Sequence, residues 1–128
     1  MNLLPTCLID RHGTKRWYLN GELHREDGPA IEFADGEKQW YINGHIHRLD
    51  GAAIIWGDGS KEWWVDGQLH RLDGPAIIRW DKTTEWWIND NPVTDIITNW
   101  AKENDIDLYN LSEDDKRLIR LVWFDYGK

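Results

Sequence analysis

Three strings in this chain carry the residue types that could do chemistry: His24-Arg25-Glu26-Asp27, His47-Arg48-Leu49-Asp50 and His70-Arg71-Leu72-Asp73. An imidazole, a guanidinium and a carboxylate this close together can bind metal or phosphate, or move a proton. The spacing argues otherwise. Equivalent histidines fall several strands apart at ~4.8 Å per strand, so they lie roughly 10–14 Å from one another. Ligands of one metal ion sit only ~2 Å from it. No single string supplies three ligands, and an active site normally occurs once, whereas this triplet recurs wherever its turn does. The expectation is structural: the histidine packs across from a repeated Trp, and the Arg pairs with the Asp of the following turn. No metal and no cofactor are expected.

Other signatures of catalysis are missing. Each glycine belongs to a turn, with no Lys-Ser/Thr at phosphate-loop spacing. Ser60 and Ser112 are the only serines, and neither sits in a nucleophile elbow. Asp10 and His12 follow Cys7, but nearness in sequence does not make a Cys-His pair. Asp105, Asp107, Glu113, Asp114 and Asp115 read as solvated helix starts. No catalytic residue is assigned, and enzyme activity is not expected.

The elements that position these strings come from a repeat. Gly13, Gly36 and Gly59 each open a 23-residue unit, and a truncated fourth unit runs from Lys82 to about Asn91. Such a period marks stacked modules, each covering the apolar face of the next. Asn20-Gly21, Asn43-Gly44 and Asp66-Gly67 between apolar runs signal two-residue type I′ hairpins. Asp27-Gly28, Asp50-Gly51 and Asp73-Gly74 make the second turns. The prediction is a mainly β fold: an antiparallel β-hairpin repeat meander over residues 13–91, preceded by an N-terminal strand or cap (1–12) and closed by a C-terminal two-helix cap (92–128). In the cap, Val93, Ile96, Ile97, Trp100 and Ala101 are helically spaced after a Thr94 N-cap. Ser112 caps a second helix, with Leu118, Ile119, Val122 and Trp123 in one stripe.

With two-residue turns, Leu19 pairs with Glu22, Tyr18 with Leu23 and Trp17 with His24, and paired residues share a face. Two aromatic columns result: Trp17, Trp40, Trp63, Trp86 on one side, and Tyr18, Tyr41, Trp64, Trp87 on the other. Alternation alone leaves open which is core and which is a binding strip. Positions that differ among units point to solvent. Trp56, Arg79 and Trp80 fall at such positions and form a candidate aromatic and cationic patch, unless both indoles pack under the helices.

Composition narrows the partner. Net charge is −8, which disfavours direct nucleic-acid binding and permits an acidic surface that fits a basic protein site. Ten tryptophans allow a short array to be stable without disulfides, and one cysteine excludes a disulfide framework. The opening MNLLPTCLID predicts no signal peptide, and no apolar run suggests a membrane span, so a cytoplasmic setting is expected. Open edge strands at Leu8 or near Trp86 leave room for a homodimer.

The unit, written G-x-x-x-W-[YW]-x-[ND]-G-x-[LI]-H-R-x-D-G-[PA]-A-I, resembles the repeats of many phage and giant-virus proteins, which look like distant relatives of MORN repeats. The resemblance covers about Gly13 to Asn91; Asp66 and Ala52 depart from it mildly. It implies a scaffold that binds protein or lipid. Lipid fits poorly with so acidic a chain. Small phage proteins of this kind are often inhibitors of host machinery. The leading expectation is therefore a phage-encoded protein that blocks a host defence or nucleic-acid-handling factor through Trp56, Arg79, Trp80 and the Tyr18, Tyr41, Trp64, Trp87 column. The alternatives are sequestration of a small anionic ligand, such as a signalling nucleotide, by Arg48 or Arg71, and a virion scaffold.

Overall fold

Hairpins set the architecture, because every unit places an Asn or Asp with positive φ before its turn glycine. Asn20, Asn43 and Asp66 lie at φ 53°, 50° and 51°, and the fourth unit repeats the turn with Asn89 and Asp90 at 47° and 68°. This is the type I′ geometry whose twist matches the flanking strands. The computed structural model describes residues 4–126. It is an antiparallel hairpin meander closed by two helices, as the repeat predicts.

One nine-stranded sheet runs the length of the array. Its order is Thr6–Ile9, Lys15–Leu19, Ile31–Glu32, Lys38–Gln39, Ile54–Ile55, Lys61–Glu62, Ile77–Ile78, Thr84–Glu85, with Glu22–Leu23 paired to Lys15–Leu19 off that path. Tyr41–Ile42 with His45–Ile46, Trp64–Val65 with Gln68–Leu69, and Trp87–Ile88 with Asn91–Pro92 form separate hairpins. The pairings Leu19–Glu22 and Tyr18–Leu23 occur as read, and the His24 amide donates to the Trp17 carbonyl at 3.0 Å.

Repeat phase extends beyond both ends of the expected array. Leu8 pairs with Arg16 from one side as Ile31 does from the other, so Thr6–Ile9 is the closing strand of a preceding partial unit. At the far end, the Val93 amide donates to the Trp86 carbonyl, taking the place of His24, His47 and His70. The fourth unit therefore runs to Val93, two residues past the expected boundary.

Units are joined by the histidines. Nδ1 of His24, His47 and His70 accepts the backbone N–H of Asn43, Asp66 and Asn89, at 2.9, 3.0 and 3.0 Å. Each imidazole thus satisfies the first turn amide of the next unit. Two ladder bonds flank every such contact, for example Arg25 N–H to Tyr41 O and Gly44 N–H to Leu23 O at 3.1 and 2.9 Å.

The arginines act within their own unit. Arg25, Arg48 and Arg71 lie over the rings of Trp17, Trp40 and Trp63 at 3.9, 4.0 and 3.9 Å. Their Nη1 groups donate to the carbonyls of Pro29, Ala52 and Pro75. Nε of Arg25 and Arg48 meets Asp27 and Asp50 at 3.0 and 2.9 Å, whereas Arg71 stands 3.7 Å from Asp73. Ala30, Ala53 and Ala76, each fully buried, leave room for this stack.

The fourth unit has no such arginine, and the helices cover its Trp86 instead. Trp86, Ile88, Val93, Ile97, Ile119 and Trp123 form the one large apolar cluster among the described residues. Helix α1 (Thr94–Glu103) begins without a side-chain cap: its N-cap is Val93, whose side chain has no acceptor, and the Thr94 hydroxyl inside the first turn accepts the Trp86 amide at 3.0 Å. Thr94 is therefore not an N-cap. Helix α2 (Glu113–Asp125) starts in a capping box between Ser112 and Asp115, and buries Ile119 and Trp123 while Leu118 faces solvent.

One backbone position departs from its equivalents. Gly13, Gly36 and Gly59 take φ of 86°, 95° and 93°, but the fourth unit places Lys82 there at 74°. A side chain with Cβ in this region costs about 1–2 kcal/mol.

We expect Arg48→Ala to lower stability in urea by roughly 2–3 kcal/mol, because it uncovers Trp40 and leaves the Ala52 carbonyl without its donor. Arg79→Ala, at an exposed pair, should cost under about 1 kcal/mol. A pH effect also follows. Burial pushes the His70 imidazole below its ordinary 6.5, and its Nδ1 lone pair is already occupied. The unfolded chain then binds the proton more readily, so this contribution is complete above pH ~6.5 and declines as pH falls below it. The urea midpoint should drop between pH 7 and about 5.5, with a shallower drop in His70→Gln.

Candidate binding face

Strand alternation sends the two neighbouring aromatics of each unit to opposite faces, and the faces meet different fates. The Trp17, Trp40, Trp63 column is stacked under guanidinium groups, and Trp86 is 2 % exposed beneath the cap. The Tyr18, Tyr41, Trp64, Trp87 column carries no stacked guanidinium, and its rings are half-buried as Trp17, Trp40 and Trp63 also are.

On that face three of the four rings are held by the residue two positions before them. Tyr41 donates its hydroxyl proton to Gln39 at 3.0 Å, Trp64 Nε1–H donates to Glu62 at 2.9 Å, and Trp87 Nε1–H to Glu85 at 3.0 Å. Gln39, Ile54, Glu62, Ile77 and Glu85 are directly cross-strand neighbours in the main sheet, so ring anchors alternate with isoleucines along the array. A bond of this kind fixes ring orientation before any partner arrives.

The patch residues converge on the same anchors. Glu62 accepts from Trp56 Nε1–H at 2.7 Å with its second oxygen, which ties Trp56 and Trp64 to one carboxylate. Glu85 pairs with Arg79 while holding Trp87, and this pairing keeps its carboxyl below the usual carboxylate range. Trp80 is 70 % exposed and Trp56 38 %, so neither lies under the helices. The Trp80 amide is held by the buried Ser60 hydroxyl at 2.9 Å, which anchors the backbone beneath the exposed indole. The structure thus brings Trp56, Arg79, Trp64 and Trp87 together on one face, with Trp80 beside them at a turn.

Arg48 and Arg71, the candidates for a small anion, are placed differently. Both guanidinium groups lie on the opposite face, stacked on Trp40 and Trp63 and donating to carbonyls. Arg48 also holds Asp50, whose carboxyl it lowers, while Asp73 is shared between Arg71 and Arg120 of α2. The three histidines point into successive inter-unit joints rather than toward each other.

Gln39, Glu62 and Glu85 were not singled out in the sequence. Their signal was weak, because polar residues stand two before the aromatics of both columns; only an acceptor at that position, Gln39, Glu62 or Glu85 against Lys15, Lys38 and Lys61, sets this column apart. This fold and face define a hairpin-repeat array with one aromatic side stacked on guanidinium groups and one anchored by polar side chains of its own strands. Compared with protein families, curated proteins and solved structures, the chain has no match in any of the three.

Trp80 is the most exposed of the ten tryptophans. We expect Trp80→Phe to remove the most acrylamide-accessible part of the emission and to change stability by less than about 0.5 kcal/mol.

Proposed function

We propose that this protein is a non-enzymatic binding module that docks its open aromatic face on a partner protein. The observation that carries this reading is the cluster on the later units: Glu62 ties Trp56 and Trp64 to one carboxylate, Glu85 holds Arg79 and Trp87, and Trp80 stands 70 % exposed beside them. Tryptophan and arginine dominate binding hot spots, because they bury large areas at low entropic cost. The acidic chain favours a partner with a basic site. The resemblance of the units to phage and giant-virus repeats directs the choice of partner to a host protein, with inhibition of a defence or nucleic-acid-handling factor as the outcome.

Affinity capture from host lysate, at low and moderate salt, tests this. Wild type should retain one stoichiometric partner that Trp56→Ala/Trp80→Ala loses, by about tenfold or more in affinity. Capture of no partner, or equal capture by the double variant, would contradict it.

A further inference from the structure

The array is broken once, and the break leaves a groove with no equivalent in the other units. After their His-Arg string, units one to three continue into a turn and a closing strand. The fourth unit leaves at Thr94 into α1, and the segment before α2 only partly fills the vacated space. A concavity of about 610 Å³ remains between the third unit and the cap. That is within the roughly 300–1,000 Å³ range of small-molecule sites.

Its charge is opposite to that of the chain. Arg71, Lys82 and Lys116 line it against a single carboxylate, Asp73, although the net charge is −8. Asp73 is already shared by Arg71 and Arg120, at 3.7 and 3.4 Å. The sharing draws Asp73 off Arg71, whose Nε lacks the short bond that Arg25 and Arg48 make. Thr84 and Thr98 add hydroxyls to the wall. Ile78 and Leu111 supply apolar lining, and Tyr109, 81 % exposed, stands at the margin.

Lys82 is the second observation. It occupies the left-handed position that glycine fills in the equivalent turns, and its side chain borders this groove. Strain kept at one lining residue, where a glycine would remove it, is a mark of function. No ion pair among the described residues engages its ammonium.

We propose that this groove binds a small phosphorylated molecule with a flat ring, of nucleotide size. Lys82 is a compact point charge suited to a phosphate, Lys116, which also meets Glu113 at 3.3 Å, stands beside it, and the threonine hydroxyls can complete its hydrogen bonds. The apolar lining and the Tyr109 ring take the flat body. This site is separate from the open aromatic face and does not depend on it.

Adenosine 5′-monophosphate is the probe, titrated calorimetrically into the full chain beside adenosine and inorganic phosphate. AMP should bind saturably at one site, with each fragment weaker by about tenfold or more. Lys82→Gly should raise the melting temperature by about 3–5 °C as strain is released, yet weaken AMP about tenfold. Lys82→Arg should retain binding. Three results would overturn the proposal: no saturable heat with AMP, phosphate alone binding as tightly, or Lys82→Gly binding AMP like wild type.

Discussion

A hairpin turn leaves its first amide pointing at solvent, and each unit's histidine reaches forward to accept that amide in the next unit, beside the main sheet that also links them. The bond spans nineteen residues and recurs three times with the same atoms. One neutral hydrogen bond contributes about 1 kcal/mol. Its larger effect is geometric. It fixes the tilt of each hairpin on its neighbour, and two backbone ladder bonds follow that alignment at every joint. The main sheet links the units through pairs such as Ile31–Gln39 and Ile54–Glu62, and the joints set how each separate hairpin lies on its neighbour.

The two aromatic faces differ by the same economy. Within each unit the arginine stacks on one aromatic, tied in place by a carbonyl and a carboxylate. This leaves no arginine for the second aromatic, which is anchored only at its polar edge. Where the arginine is missing, at Trp86, two helices are required to do the same work. The cap thus replaces one side chain, and the imperfect replacement creates the groove at Lys82.

Much of this fold was legible in the residues. Asn-Gly pairs fixed the turns, the turns fixed the pairing Tyr18–Leu23, and Arg48–Asp50 followed from their shared turn. The partial unit at Leu8 was not, because only Ile9 repeats a residue of the strands it matches, Ile55 and Ile78, while Cys7 and Leu8 replace the repeated Ala-Ile. Thr94 was misread for a physical reason: an amide from Trp86 competes for its hydroxyl, and no local pattern shows that rival. The histidines were placed correctly in the ladder but their acceptor role was missed. A period reveals which positions are equivalent, not which equivalents touch. The open column became identifiable only when the guanidinium positions were known, since alternation treats both faces alike.

Backbone amide hydrogen exchange, read residue by residue, tests the joint most directly. The amides of Asn43, Asp66 and Asn89 should be protected, while Asn20, with Met1 rather than a histidine nineteen residues before it, should exchange as an open turn amide. Equal, rapid exchange at all four would contradict the account.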